Sequence, residues 1–337
     1  MKCGEVFMQA GNLQEAEDQI LRGLKIRASL AEKDPTDSRA QRDLSLASEQ
    51  YGRLLMRNGK IELAIAQFMK TLEIREMRSQ AASNDLNAKN DLAISLADLG
   101  DAQLMAGRLD GALDSYESCF KIVSRLASVD PSNAQTNREL SRCHVRIGQV
   151  RVARGEYEKA VASFTKGAGI LRDMVASGRM AETVAFELEA TNWKIRSATL
   201  MPMALGNWDT ILAQPADSLA DLLETRAIEM SQPHRSRFED AAIAAKKLIA
   251  IEDADSFSFH IAARTFCRCA ASIGLEEADE QLAKRKQWFA LAISSLKKSF
   301  ESGERDYEDF KRNSDFDLVR NSPELEKLVS ELRKPSQ

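Results

Sequence analysis

Two sets of glycines recur along the first half of the chain at a spacing of 48 residues, and this lattice constrains the fold more than any other sequence feature. One set lies in short polar breaks, and the other lies seven residues before it. Together they account for half of the 16 glycines: Gly11, Gly59, Gly107 and Gly155, and Gly4, Gly52, Gly100 and Gly148. A fixed period of this length is typical of a chain built from repeated units stacked side by side.

Each polar break predicts a turn between two helices. A glycine that ends a helix can adopt the left-handed conformation that closes it, and an acidic residue just after it favours the next helix start. An alanine follows five residues after each turn glycine, and a large apolar residue follows four later, so both lie on one helical face. The alanine allows close helix approach, and the large residue fills the space between neighbouring hairpins. The pairs are Ala16 and Ile20, Ala64 and Phe68, Ala112 and Tyr116, and Ala160 and Phe164.

Composition supports helices throughout. The chain is 44% hydrophobic, has only 7 prolines, is rich in strong helix formers, and has almost no strand signals. Two Asp-Pro steps, Asp34-Pro35 and Asp130-Pro131, end the second helix of their hairpins. The lattice then predicts helices of roughly twenty residues, about 30 Å long.

The pattern of helix A, a Gly-x-(aromatic or aliphatic)-x-x-Ala turn and helix B resembles the tetratricopeptide repeat (TPR) family over about the first 180 residues. The repeat is longer than the usual 34 residues, with the additional residues at the distal helix ends. The resemblance implies an all-α solenoid of antiparallel helix hairpins, wound as a right-handed superhelix and closed by a divergent helical cap. The expected segments are an incomplete first repeat at 1–35, repeats at 36–83, 84–131 and 132–180, a degenerate fifth repeat at 181–235, and a TPR-like cap at 236–337.

The lattice fails after Gly155. The next break, at Gly206, comes three residues late without the small and large pair, and Pro202, Pro215 and Pro233 interrupt the region, so we predict a degenerate hairpin. Helical patterns resume over Phe238–Ile251, Ser256–Ile273 and Glu277–Ser302.

The tail from Asn313 to Leu325 resembles an ending that follows TPR arrays and covers their last apolar face. Combined with the long repeats, it resembles the C-terminal extension of bacterial, notably planctomycete, serine/threonine protein kinases. Gly4 matches the eighth position of a TPR helix A, so the start of that helix is missing. We hypothesise that the chain is the C-terminal part of a longer protein, or of a split or misassigned reading frame.

The sequence lacks the motifs of several enzyme classes. It has no kinase phosphate loop or catalytic loop, no Walker loop and no dinucleotide fingerprint, so neither catalysis nor a cofactor is predicted. The segment Asp315-Phe316-Asp317 superficially matches a kinase metal-binding motif, but without glycine or a catalytic loop it favours a structural turn.

No metal site is predicted either. His144, His234 and His260 are scattered, and the thiols of Cys267 and Cys269 would diverge by about 200° on a helix, which favours buried thiols over zinc. The five cysteines form an odd set without framework spacing, which fits a reducing, cytoplasmic location. They are Cys3, Cys119, Cys143, Cys267 and Cys269.

Charge and hydropathy bear on the partners. The net charge of −4, with both signs interspersed, provides no dense basic field for nucleic acid. No apolar run reaches membrane-spanning length and the N-terminus has no signal-peptide core, so neither nucleic acid nor membrane is an expected partner.

In the TPR family the A helices line a concave groove, and the resemblance places candidate partner-binding residues there. Arg53 and Arg57 could hold carboxylates and the methionines could adapt to apolar side chains, although a solvated helix face explains the arginines equally well. The candidates are Glu49, Arg53, Met56, Arg57, Asp101, Met105, Arg142 and Gln149. Other inward positions are Leu46, Ile94, Ala97, Leu104, Val145 and Val152. The family's chaperone-tail clamp needs Asn and Lys where this chain has Arg53, Asp101 and Gln149, so that activity is not predicted.

The resemblance therefore implies a protein-interaction scaffold, alone or within a signalling complex, that binds a peptide or protein in the groove. The alternative is the regulatory or substrate-recruiting arm of a serine/threonine kinase whose catalytic domain lies outside this chain. A third class, an enzyme built on helical repeats, has no nominated residue.

Overall fold

The computed structural model describes residues 13–178, 181–232, 235–252, 254–274, 277–303, 313–320, 322–324, 327 and 330. Within these ranges every regular element is a helix, which confirms the predicted all-α class. The features predicted at Cys3, Gly4, Gly11, Pro233 and His234 lie outside the described residues.

The first half of the chain is a series of long helices that alternate between two roles. The B helices are α1, α3, α5 and α7, and the A helices are α2, α4, α6 and α8. Their bounds are α1 Leu13–Lys33, α2 Ser38–Arg57, α3 Ile61–Ala81, α4 Leu86–Met105, α5 Leu109–Val129, α6 Ala134–Ala153, α7 Tyr157–Ala176 and α8 Ala181–Ala204. From α1 to α7 each helix packs against the next, which forms hairpin 2 (α2 and α3), hairpin 3 (α4 and α5) and hairpin 4 (α6 and α7). The chain therefore has the TPR-like fold of stacked antiparallel helix hairpins, with helices of the predicted length.

The turn glycines close the A helices as predicted. Gly59, Gly107 and Gly155 have φ values of 71°, 73° and 75°, in the left-handed region that favours glycine. In the first of these turns the N–H of Gly59 donates to the carbonyl of Met56 at 3.0 Å and the N–H of Lys60 to that of Leu55 at 2.8 Å. The chain can thus reverse within a few residues at each lattice point.

The second set of glycines receives the aromatic rings. A Cβ on Gly52 would lie 2.6 Å from the ring of Phe68, and one on Gly100 would lie 2.5 Å from the ring of Tyr116, in the same hairpin. Gly148 meets the ring of its own hairpin in the same way. The ring of Phe68 also packs against α4 of the next hairpin. Each ring therefore joins two helices of one hairpin and also touches its neighbour, which extends the prediction that it fills only the space between hairpins.

The A helices begin at a third set of lattice points. Asp37, Asp85 and Asn133, each 48 residues apart, are the N-cap residues of α2, α4 and α6. The Asp37 Oδ1 accepts from the N–H of Arg39 at 2.8 Å, and the other two caps accept in a similar way. Each cap satisfies an N–H that the helix itself leaves unbonded, so the start of each A helix is fixed as strictly as its end.

Two compact units divide the chain, residues 1–198 and 199–337. The second unit contains α9 Trp208–Leu212, α10 Ala216–Met230, α11 Phe238–Leu248, α12 Ser256–Ala271, α13 Asp279–Glu301, a 3-10 turn at Ser314–Phe316 and α14 Asp317–Arg320. The three helices predicted between 238 and 302 are confirmed within three residues at each end. The short α9 follows the late break at Gly206, where the lattice fails. The domain bounds predicted at 181 and 236 stay predictions.

The acidic turn near the C-terminus is a structural element. The carboxylate of Asp315 accepts from Arg264 at 2.6 Å and from Arg268 at 2.7 Å. Burial alone would raise the pKa of Asp315, but the two guanidinium groups hold it below its usual value. The ring of Phe316 is fully buried and meets His260 edge-on at 5.3 Å. These contacts attach the turn to α12, as the structural interpretation of this segment predicts.

Candidate functional site

The A helices of the first unit are joined by ion pairs between residues 45 to 49 positions apart, which we call the A-helix ladder. It joins α2 to α4, α4 to α6 and α6 to α8. Its members are Arg42 with Asp91 at 3.1 Å, Arg53 with Asp98 at 3.0 Å, Arg146 with Asp101 at 3.1 Å, Arg138 with Glu187 at 2.7 Å and Arg142 with Glu187 at 2.6 Å. Because these pairs span neighbouring repeats, they fix how one A helix lies beside the next.

Four of the eight candidate groove residues use their charges within the array. Arg53 and Arg142 belong to the A-helix ladder. Glu49 is only 6% exposed and pairs with Arg53 at 2.9 Å and with the buried Arg75. Asp101 accepts from the hydroxyl of Tyr116 at 2.6 Å as well as from the ladder. These four residues therefore hold helices together in the structure.

Burial makes one ladder carboxyl difficult to ionise. Loss of solvent raises the pKa of Asp98 to about 6, although Arg53 acts in the opposite direction. Glu49 and Asp101 add negative charge nearby and raise it further. The field on this part of the A helices consequently changes between acidic and neutral pH.

The other four candidate residues lie near the C-terminal ends of the A helices. Arg57 and Met105 are the last residues of α2 and α4 and occupy equivalent lattice positions, and Met105 is 56% exposed. Gln149 is exposed about one turn before the end of α6. Met56 is half-buried against the core around Phe68. Arg57 makes no ion pair with any residue that the structure describes.

Met56 belongs to an apolar row whose members recur every 48 residues. Its lattice equivalents in α4 and α6 are Leu104 and Val152, and all three are half-buried. We call these three residues, with Arg57, Met105 and Gln149, the A-end surface. The remaining inward positions are half-buried or buried: Leu46, Ile94, Ala97 and Val145.

Sequence reasoning missed the most buried charge of the first unit. Arg75 on α3 is 1% exposed, and it donates to the carbonyl of Asp91 at 2.7 Å and the hydroxyl of Ser95 at 2.9 Å on α4. It also donates to Glu49 and, at 3.3 Å, to Ser45 on α2. The lattice contained a signal, because the equivalent positions hold apolar Val123 and Leu171.

The cysteines behave as small buried groups. Cys269 donates to the carbonyl of Phe238 at 3.2 Å, and burial raises its pKa to about 12. Cys267 is fully buried in the same core, as the buried-thiol interpretation predicts. Cys119 and Cys143 face each other at 3.5 Å between α5 and α6. Over the residues that the structure describes, no group of three or more His, Cys, Asp or Glu could hold a metal ion.

Each unit also contains one sizeable cleft. The cleft of the second unit has a volume of about 770 Å³ and includes Trp208. Its charged groups largely pair with one another, since Glu239 meets Lys284 at 2.6 Å and Asp240 meets Arg226 at 2.8 Å. Arg226 also lies over the ring of Trp208 at 4.3 Å. The cleft of the first unit, at the distal end of hairpin 3, has about 480 Å³ and contains unpaired cations.

The stacked hairpins and their bonded A helices define a helical-repeat array of the TPR type. No protein-family model and no curated protein match the chain.

Among solved structures, BtubC from P. vanneervenii is 13% identical with a TM-score of 0.38, and the match covers 86% of this chain and 90% of that one. A tetratricopeptide repeat protein from Parabacteroides merdae is 13% identical with a TM-score of 0.37, over 95% of this chain and 97% of that one. The nuclear import adaptor Nro1 is 11% identical with a TM-score of 0.32, over 89% and 99%. The fold assignment rests on the hairpin geometry of the chain itself.

Helices able to cross a membrane were sought as well. Among the described helices, none combines the required length with sufficient hydropathy.

Proposed function

We propose that the chain is a protein-interaction scaffold that holds a peptide or protein segment on its A-end surface. The observation that carries this proposal is the contrast among the A-helix side chains. The ladder uses most of their charges internally, whereas Met105 and Arg57 stay exposed at equivalent positions of adjacent helices. An array whose helices are already fixed loses little freedom when it binds, so its exposed groups are available for a partner.

The chemistry of the A-end surface suits a short segment of mixed polarity. The half-buried row of Met56, Leu104 and Val152 offers apolar area, and methionine adapts to differently shaped partners. Arg57 can hold a carboxylate in bidentate fashion, and Gln149 can bond a peptide backbone or side chain. A helix or an extended peptide that crosses α2, α4 and α6 would meet all of these groups.

Site-specific photo-crosslinking in living cells tests this proposal. A photoreactive amino acid replaces Met105 on the A-end surface, and in a matched chain it replaces the exposed Asp114 on helix α5. We expect a discrete adduct from position 105 and none from position 114. Adducts of equal yield from both positions, or from neither, would contradict the proposal.

The adduct also provides the partner for a quantitative measurement. Once it is identified by mass spectrometry, its binding is titrated against Met105→Glu and against Asp114→Lys as control. We expect Met105→Glu to weaken binding by about tenfold or more, equivalent to roughly 1.4 kcal/mol, and the control to bind normally.

The finer alternative, that this array serves a serine/threonine kinase, is supported by the resemblance of the tail and by the long repeats. Asp315 and Phe316 give that tail a defined structure on α12. Sequencing the genomic DNA upstream of the codon for Met1 tests it. An in-frame domain with kinase motifs would support this alternative, and a stop codon followed by unrelated sequence would exclude it.

A further inference from the structure

The cleft of about 480 Å³ in the first unit lies away from the A-end surface, at the opposite end of hairpin 3. It is bounded by the first turns of α4 and the last turns of α5. We call it the distal cleft. Its volume falls within the range of about 300 to 1,000 Å³ that is typical of ligand-binding pockets.

The distal cleft has an apolar lining that is open to solvent. Leu86 at the start of α4 is 47% exposed, and Val129 at the end of α5 is 61% exposed. Leu92, Ile122 and Leu126 continue this lining and are half-buried. Leaving such side chains in water forgoes about 25 cal/mol for each Å² that could be buried, so a covering group would bind here favourably.

Three cations surround this apolar lining: Lys89 on α4 and Lys121 and Arg125 on α5. None of them forms an ion pair with any described part of the chain, whereas most arginines of the A helices do. The residues that line the cleft include no carboxylate. The cleft is therefore a local positive field in a chain of net charge −4.

Helix stability does not explain this cluster. Lys89 lies in the first turn of α4, where the helix dipole favours negative charge, and that turn contains no acidic residue. The repeat does not require the cations either, because the lattice equivalents of Lys121 and Arg125 are Glu73 and Met77 in hairpin 2 and Gly169 and Asp173 in hairpin 4. Hairpin 3 alone combines the open apolar lining with three free cations at these positions.

We propose that the distal cleft binds an acidic peptide segment, with an apolar side chain placed against Leu86 and Val129 and carboxylates paired with Lys89, Lys121 and Arg125. Charge complementarity selects this partner, and the apolar lining favours a peptide over a phosphate backbone, which would need a broader basic surface. The site is separate from the A-end surface, so either one can fail while the other stands.

Selection from a phage-displayed library of random peptides tests this assignment. The full chain is the bait, and the Lys121→Glu/Arg125→Glu variant is used for counter-selection. Both residues are exposed, so the variant is expected to fold, as circular dichroism would verify. We expect the enriched peptides to carry net negative charge around apolar residues, and recovery of neutral or basic peptides would overturn the proposal.

Fluorescence polarisation with the strongest synthetic peptide then gives the affinity. We expect about a tenfold or greater loss in Lys121→Glu/Arg125→Glu and in Val129→Asp, and weaker binding at high salt. The matched control is Lys70→Glu/Lys166→Glu, which makes the same charge change at two exposed, lattice-equivalent positions outside the cleft. An equal loss in this control, or stronger competition by RNA or anionic vesicles than by the unlabelled peptide, would overturn the proposal.

Discussion

The junction between hairpins 2 and 3 and the junction between hairpins 3 and 4 have the same geometry but opposite chemistry. The first contains a polar cluster of Ser45, Glu49, Arg75 and Ser95, all buried and bonded to one another through Arg75. The second contains an apolar cluster at the positions 48 residues later, namely Ala93, Ala97, Val123 and Cys143. Helices of equal length pack in the same order on both sides.

This comparison shows that the lattice specifies shape and burial but leaves polarity open. Burying a guanidinium and a carboxylate costs several kcal/mol per ion in desolvation, which is recovered only if each hydrogen-bonding group has a partner. Arg75 meets that condition with donors to four groups on two helices. Polar junctions of this kind select a unique arrangement, whereas apolar ones tolerate variation.

Breaking the polar junction should give the largest effect. Arg75→Met leaves Glu49 buried with only Arg53 and leaves Ser95 and the Asp91 carbonyl without their donor, so we expect a loss of about 3 kcal/mol. Chemical denaturation followed by circular dichroism measures it. Arg39→Met, at an exposed arginine on α2, should stay within about 0.5 kcal/mol of the wild type, and comparable losses in the two variants would show that burial of Arg75 is unimportant.

Converting the polar junction into the apolar one should cost less than breaking it. The fourfold variant Ser45→Ala, Glu49→Ala, Arg75→Val and Ser95→Cys copies the chemistry of the next junction. We expect its stability to lie within about 2 kcal/mol of the wild type, because the buried charges leave together. If this variant were less stable than Arg75→Met in the same denaturation experiment, the two junctions would not be equivalent in shape.

The glycines beneath the rings should matter equally at both junctions. Gly100→Ala places a Cβ 2.5 Å from the ring of Tyr116, and we expect such overpacking to cost about 1 to 3 kcal/mol. Gly52→Ala should behave similarly, since Phe68 lies equally close. Gly169→Ala is the control in thermal unfolding: it meets nothing within 4 Å and should stabilise its helix by about 0.5 to 1 kcal/mol.

The smallest expected effect concerns pH and the polar side of the comparison. Because the pKa of Asp98 is raised to about 6, the folded chain keeps a proton that the unfolded chain loses near pH 4. The contribution of Asp98 to stability is therefore full at low pH and is lost as the pH rises through about 6.

Denaturation midpoints for Asp98→Asn and for the wild type, compared at pH 4 and pH 7, measure this contribution. We expect the variant to gain on the order of 1 kcal/mol relative to the wild type at the higher pH. An unchanged difference between the two proteins would contradict the raised pKa.

Much of the fold could be predicted because the repeat exposes it. The turn at Gly59 and the seat of Phe68 at Gly52 follow from backbone and packing rules that apply at each lattice point. The N-cap series starting at Asp37 was equally visible as residues 48 apart. Helix bounds in the second half followed from hydrophobic periodicity alone.

The candidate site was harder to predict because ion pairing depends on reach between helices. Arg53 and Asp101 stand at positions where the TPR resemblance expects partner contacts, yet each meets an opposite charge some 45 residues away. Periodicity identifies the face on which a side chain lies, but not whether a neighbouring repeat neutralises it. The distal cleft likewise combines residues from α4 and α5 that no single helical pattern groups together.

The hydroxyl of Tyr116 has a consequence for the order of the repeats. Its ring occupies the glycine seat of hairpin 3, and its hydroxyl bonds Asp101, which in turn accepts from Arg146 of hairpin 4. The corresponding rings of Phe68 and Phe164 carry no such group. Repeats of identical length are therefore not exchangeable modules: hairpin 3 is specified by Arg75 on one side and by Arg146 on the other, and transposing the hairpins would strand charges that only the present order neutralises.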